Sequence, residues 1–70
     1  DDQMLTDILN GFLAGLQAET RRIFLQRYWY LSSVREIAAD FGISESKVKT
    51  TLFRTRNKLK QHLEKEGVEL

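Results

Sequence analysis

Seventy residues with a net charge of +1 and no cysteine make one domain at most, and exclude disulfides, thiolate catalysis and sulfur-ligated metals together. No apolar run approaches the roughly 20 residues of a membrane span, and no signal-peptide pattern opens the chain. The near-neutral total hides a polarised molecule. Residues 1–20 carry Asp1, Asp2, Asp7 and Glu19 with no Lys or Arg, whereas Lys47, Lys49, Arg54, Arg56, Lys58 and Lys60 follow one another with no acid between them.

There is no proline and no alternating strand pattern of useful length, so the chain reads as helices and short turns. Leu5, Ile8, Leu9, Phe12, Leu13 and Leu16 recur at helical spacing, which predicts a first helix over residues 5–14 with Gly15 as its stop. A second helix is predicted over residues 17–30. Phe24, Tyr28 and Leu31 share one of its faces, Leu25 and Trp29 another, and Ile23 a third. A helix apolar nearly all round is expected at the centre of the domain, buried on several sides. The alternative places Trp29, Tyr30 or Leu31 against a protein partner, where aromatic residues are enriched.

Ser33 and Glu36 form an S-x-x-E capping box, which satisfies two orphan amides at a helix start. Val34, Ile37, Ala38 and Phe41 follow as a short apolar stripe, and Gly42 is placed to end the helix in a left-handed conformation. Ile43 re-enters the core and Ser44 caps a fourth helix reaching about Glu66, roughly 33 Å at 1.5 Å per residue. Two helices joined by "FGIS", the second much longer, have the spacing of a helix-turn-helix; an ordinary αα-hairpin is the bland alternative. The expected fold is all-α, a four-helix domain whose helix-turn-helix ends in a long C-terminal recognition helix.

At about 100° per residue, Val48, Leu52, Thr55, Leu59 and Leu63 fall on one core-facing stripe of that last helix. Opposite lie Ser46, Thr50 and Asn57, flanked by Phe53 and Arg54, with Lys47, Lys49 and Lys60 completing the outer surface. Arg54–Lys58 and Arg56–Lys60 are like-charge pairs at i,i+4, each unfavourable by roughly 0.2–0.5 kcal/mol. Lys47 and Lys49 also stand near the positive end of the helix dipole. An anionic partner would relieve both. Lys and Arg attract phosphates, Arg bridges guanine O6 and N7, Ser and Thr meet several base edges, and an apolar group meets the thymine methyl. A recognition helix presents mainly its first turns to the bases. That selects Ser46, Lys47, Lys49, Thr50, Phe53 and Arg54, and leaves Lys58 and Lys60 for phosphates or for no contact at all.

Catalysis has little support. His62 is the only histidine, at the edge of the apolar stripe, with no nucleophile or paired carboxylates spaced around it. No cofactor or metal is expected, because no ligand cluster and no glycine-rich phosphate loop is present.

The residues "RRIFLQRYW", "EIAADFGIS" and "FRTRNKL", within a match running from about Leu16 to Leu63, resemble region 4 of bacterial RNA polymerase sigma factors of the extracytoplasmic-function group. The resemblance implies a cytoplasmic domain that recognises the −35 promoter element in the major groove and docks on the flap of the polymerase β subunit. It also suggests an anti-sigma protein as a further partner. It implies that Lys49, Thr50, Phe53 and Arg54 match positions reaching the DNA, and that Ser33 and Arg35 lie where the backbone is touched. A hydrophobic surface away from the DNA would hold the flap. The chain departs from the family pattern at several positions. Gln17 stands where proline is common, and Leu31 and Ser32 replace a common Gly-Leu pair. Thr51 replaces a frequent arginine and Lys47 a frequent threonine, which leaves the base preference open. Thr55 replaces a usual alanine, where its hydroxyl could bond back to a carbonyl.

The expectation is thus a non-enzymatic DNA-binding module, residues 1–70 forming one helix-turn-helix domain. The opening Asp1 suggests a piece excised from a longer chain. Two rivals remain. One is the output domain of a LuxR-type response regulator, against which the long helix and the paired arginines of "FRTRNKL" argue. The other is a protein–protein module whose basic helix binds an acidic partner.

Overall fold

Four helices make up most of residues 2–68, the part of the chain that the computed structural model describes, and no strand occurs among them. They are α1 (Asp2–Ala14), α2 (Ala18–Tyr28), α3 (Val34–Phe41) and α4 (Glu45–Lys65). The all-α architecture is the one expected.

Helix α1 starts three residues earlier than its apolar spacing predicts, with Asp2 in the first turn, where the helix dipole favours an acid. It ends before Gly15 as expected, but not through a left-handed glycine, since the positive φ values belong to Leu31, Gly42 and Gly67. The Gly15 amide instead donates to the carbonyls of Gly11 and Phe12. Arg21 of α2 supplies the rest of the closure. Its Nε donates to the Leu13 carbonyl at 3.0 Å and its Nη2 to that of Leu16 at 3.0 Å, so one guanidinium caps α1 and ties it to α2.

Helix α2 is shorter than predicted and less enclosed. Ile23 is its one buried residue, while Phe24 and Leu25 are half-buried. The expectation of a helix buried on several sides is therefore corrected: α3 and α4 cover the Ile23 side, and α1 reaches only part of another. Beyond Tyr28 the chain widens and turns. The Trp29 and Tyr30 amides both donate to the Leu25 carbonyl, the Ser32 amide donates to that of Gln26, and Leu31 takes a φ of +59°. Trp29, Tyr30 and Leu31 stand 77, 71 and 78% exposed at this corner.

The third and fourth helices follow their local signals closely. The Glu36 amide donates to Ser33 Oγ at 3.0 Å and the Ser33 amide to Glu36 Oε1 at 2.9 Å, completing the capping box. Gly42 has φ +64°, and the Ile43 and Gly42 amides return to the carbonyls of Ala38 and Ala39, a Schellman closure. Ser44 Oγ accepts from the Lys47 amide at 3.0 Å and starts α4. Gly67 closes α4 in the same way as Gly42, with the Val68 amide donating to the Leu63 carbonyl at 2.9 Å.

The core gathers Ile23, Ile37, Ala38, Val48 and Leu52, with Phe24, Val34, Phe41 and Ile43 packed around it. Full burial of a side chain such as Ile23, Ile37 or Val48 stabilises by about 1.5–3 kcal/mol. Small Ala38 lets α3 and α4 cross closely. Further along α4, Leu63 is buried, and the His62 ring lies 5.5 Å from that of buried Phe12 of α1. His62 is thus a half-buried boundary residue, as expected. The predicted core stripe of α4 is buried except for half-buried Leu59. The Thr55 hydroxyl, almost wholly buried, donates to the Thr51 carbonyl at 2.7 Å, so its polar atom is satisfied within the helix.

Candidate nucleic-acid interface

The core that fixes α3 against α4 also fixes what α4 turns outward. Burying Val48, Leu52 and Thr55 forces Ser46, Thr50 and Asn57 to the opposite side. Ser46, Lys47, Lys49, Thr50, Phe53 and Arg54 are all exposed. Phe53 is 59% exposed, a large apolar ring left in water beside Thr50 and Arg54. These six expected contacts share the outward half of the first turns of α4. Ser33 and Arg35 stand apart from them, exposed at the start of α3. Ser33 Oγ accepts the Glu36 amide, and its hydroxyl is also engaged with the Glu36 carboxyl.

The electrostatics are one-sided. Among the described residues, no carboxylate pairs with Lys47, Lys49, Arg54, Arg56, Lys58 or Lys60. The like-charge spacing predicted from sequence is therefore left uncompensated inside the domain. Glu36, at the other helix of the pair, is committed to its cap. Hydrogen bonds from Ser33, backbone first and side chain second, hold its carboxyl below the ordinary value of 4.5.

Two features escaped the sequence reading. Arg56 donates through Nη1 to the Tyr28 hydroxyl at 2.6 Å, joining the end of α2 to the outer flank of α4. An apolar groove of about 380 Å³ opens between α1, α2 and α4, lined chiefly by Leu9, Leu13, Leu25, Tyr28, Trp29 and Leu59. A signal for the groove was present: α1 and α2 carry more apolar residues than one core beneath α4 can cover. No described helix is long and apolar enough to cross a membrane.

An all-α fold whose capped α3 and α4 meet at a left-handed glycine, with a basic outward face, defines a helix-turn-helix DNA-binding domain. Residues 7–59 match the family model described as Sigma-70, region 4, so the chain belongs to that family. The match begins in α1 and ends in α4, taking in all of α2 and α3 and most of α4. No curated protein matches the chain. The domain is thus a DNA-binding domain of a transcription sigma factor. Its family is one of DNA binders rather than enzymes, and implies promoter DNA and RNA polymerase as partners.

Proposed function

We propose that this domain recognises the −35 element of a bacterial promoter in the major groove, as part of a cytoplasmic sigma factor of the extracytoplasmic-function group. The observation that carries this reading is exposed Phe53, set between Thr50 and Arg54 on a helix whose cations have no carboxylate partner among the described residues. A purely electrostatic surface has no use for an exposed ring, whereas a base-reading surface does. Ser46, Lys47, Lys49, Thr50, Phe53 and Arg54 face the bases and nearby phosphates. Ser33 and Arg35 touch the backbone at the start of α3.

The flap of the polymerase β subunit is assigned to the apolar groove between α1, α2 and α4. Leu59 places that groove on the core side of α4, about 180° from Thr50, so both partners can bind together.

Duplex selection followed by titration tests the DNA reading. A preferred motif should emerge, with log affinity falling linearly in log salt. Phe53→Ala should lose discrimination among duplexes while melting as the wild type does. Equal affinity for random duplex and heparin would reduce the surface to a merely basic one. For the flap, Trp29 is the reporter, because its ring lines the groove and is largely exposed. A flap fragment that leaves Trp29 fluorescence unchanged at saturating concentration would remove that assignment.

A further inference from the structure

Arg56 lies outside the six residues of α4 expected at the bases, on the flank of the helix that carries Lys49 and Phe53 of those six. At 100° per residue, Arg56, Lys49, Lys60 and Phe53 fall within about 60° of circumference. Arg56 stands about 10 Å further along the axis than Lys49, beyond the turns that reach base edges and where a duplex offers its backbone. It is exposed, and among the described residues its hydrogen bond to Tyr28 is its only one. That bond uses one of five guanidinium donors and leaves the rest of the planar fork open.

We propose that Arg56 is a phosphate ligand and that Tyr28, from outside the helix-turn-helix, is the residue that positions it. The proposal rests on the DNA-binding reading. An arginine fork binds phosphate best when its plane is already oriented, because the rotamer freedom lost on binding is then smaller. The Tyr28 hydroxyl, 2.6 Å from Nη1, fixes that plane before DNA arrives. The tyrosine is held in turn by its ring, which packs against Phe24 in a tilted arrangement with centroids 4.8 Å apart. A chain of contacts therefore runs from the domain core through Phe24 and Tyr28 to a cation on the Lys49 flank of α4.

The test uses three variants of the chain on a selected duplex, titrated across salt concentrations. Arg56→Gln keeps most of the side chain and a donor for Tyr28 but removes the charge. It should lower affinity about tenfold or more and reduce the salt slope by about 0.9, the contribution of one phosphate contact. Tyr28→Phe keeps the ring and removes only the hydroxyl. It should lower affinity about two- to tenfold with the salt slope unchanged, since the contact survives but is no longer pre-oriented. In the double variant, Tyr28→Phe should have no further effect on affinity. A merely structural tie between α2 and α4 would lower the melting temperature of Tyr28→Phe and leave duplex affinity and salt slope alone.

An unchanged slope in Arg56→Gln beside a normal wild-type slope overturns the proposal alone. So does a Tyr28→Phe variant that binds as tightly as the wild type, or more tightly, in which case the hydroxyl withholds the arginine. Wild-type chain with no salt-dependent duplex affinity overturns this proposal and the DNA reading together.

Discussion

Leu31 is the one described non-glycine residue with a positive φ, and replacing it with glycine should make the domain more stable. The left-handed conformation disfavours an L-residue by roughly 1–2 kcal/mol. Part of that is offset because glycine has more freedom to lose on folding, so the net advantage of glycine over alanine at such a site is about 1 kcal/mol. The leucine side chain returns little, being 78% exposed. If full burial contributes about 1.5–3 kcal/mol, a fifth of it contributes roughly 0.5. Leu31→Gly should therefore gain about 0.5 kcal/mol, a rise of roughly 2–4 °C in melting temperature for a domain of this size. Leu31→Ala is the sharper control, because it loses the same apolar contact and keeps the strain. The two variants should differ by about 1 kcal/mol, or roughly 4–8 °C, when melted by circular dichroism at 222 nm. An alanine variant that melts at or above the glycine variant would show that the corner is not strained in solution.

Three further outcomes follow from the local geometry. Gln17 precedes α2 with φ −60°, the value a proline ring imposes, so Gln17→Pro should stabilise by about 0.4–1 kcal/mol in a denaturant melt. The Glu36 carboxylate has its pKa lowered by its cap, so its contribution to stability is fully present above the ordinary value of 4.5 and is lost as pH falls through the lowered folded value. Ser33→Ala, which keeps the backbone amide that bonds Glu36, should cost about 1 kcal/mol at neutral pH. Glu36→Gln removes the titrating group and should make stability less sensitive to pH over that acid window; an unaltered pH profile in Glu36→Gln would deny the carboxylate its role. Arg21→Met removes both hydrogen bonds that close α1. It should speed amide exchange in α1 and weaken flap binding while duplex affinity holds; equal losses of both would mean that α1 supports the whole fold.

The parts of this fold that are legible in the sequence are those decided within a few residues. Ser33 with Glu36, Gly42, Ser44 and the stripe from Val48 to Leu63 each combine a residue type with a spacing, and the backbone answers them directly. Gly67 and Val68 belong to the same class: their closure of α4 repeats the one at Gly42. Phe53 was readable as exposed because the angle from Leu52 leaves it no other place. The corner at Leu31 was half-readable, since the resemblance put a Gly-Leu pair there, but only the backbone shows that the leucine takes the left-handed conformation. The Arg21 closure and the Tyr28–Arg56 bond were not readable at all, and the groove was readable only as a surplus of apolar residues on α1 and α2. Each depends on the angle at which helices distant in sequence meet, and no local spacing encodes that angle. The misjudged burial of α2 has the same origin, because an apolar circumference records what a helix could bury and not how many neighbours arrive to bury it.

The length of α4 has an explanation in this division of labour. Base reading needs only the first turns of a recognition helix, yet α4 continues for 21 residues, about 32 Å. Past Asn57 its role changes. Leu59 lines the apolar groove, and His62 receives the Phe12 ring of α1. The charge pattern changes at the same place: after Lys60 come Glu64, Lys65 and Glu66, a mixture suited to water rather than to phosphate. The C-terminal half of α4 is thus the strut that holds α1 away from the DNA face, and holding α1 there creates the groove. Arg56 lies at the junction of the two halves, bonded to a tyrosine that also lines that groove. An occupant that shifts the Tyr28 ring would move the hydroxyl on which the arginine depends. DNA affinity and groove occupancy should therefore be linked through this one pair, by the same factor in either direction.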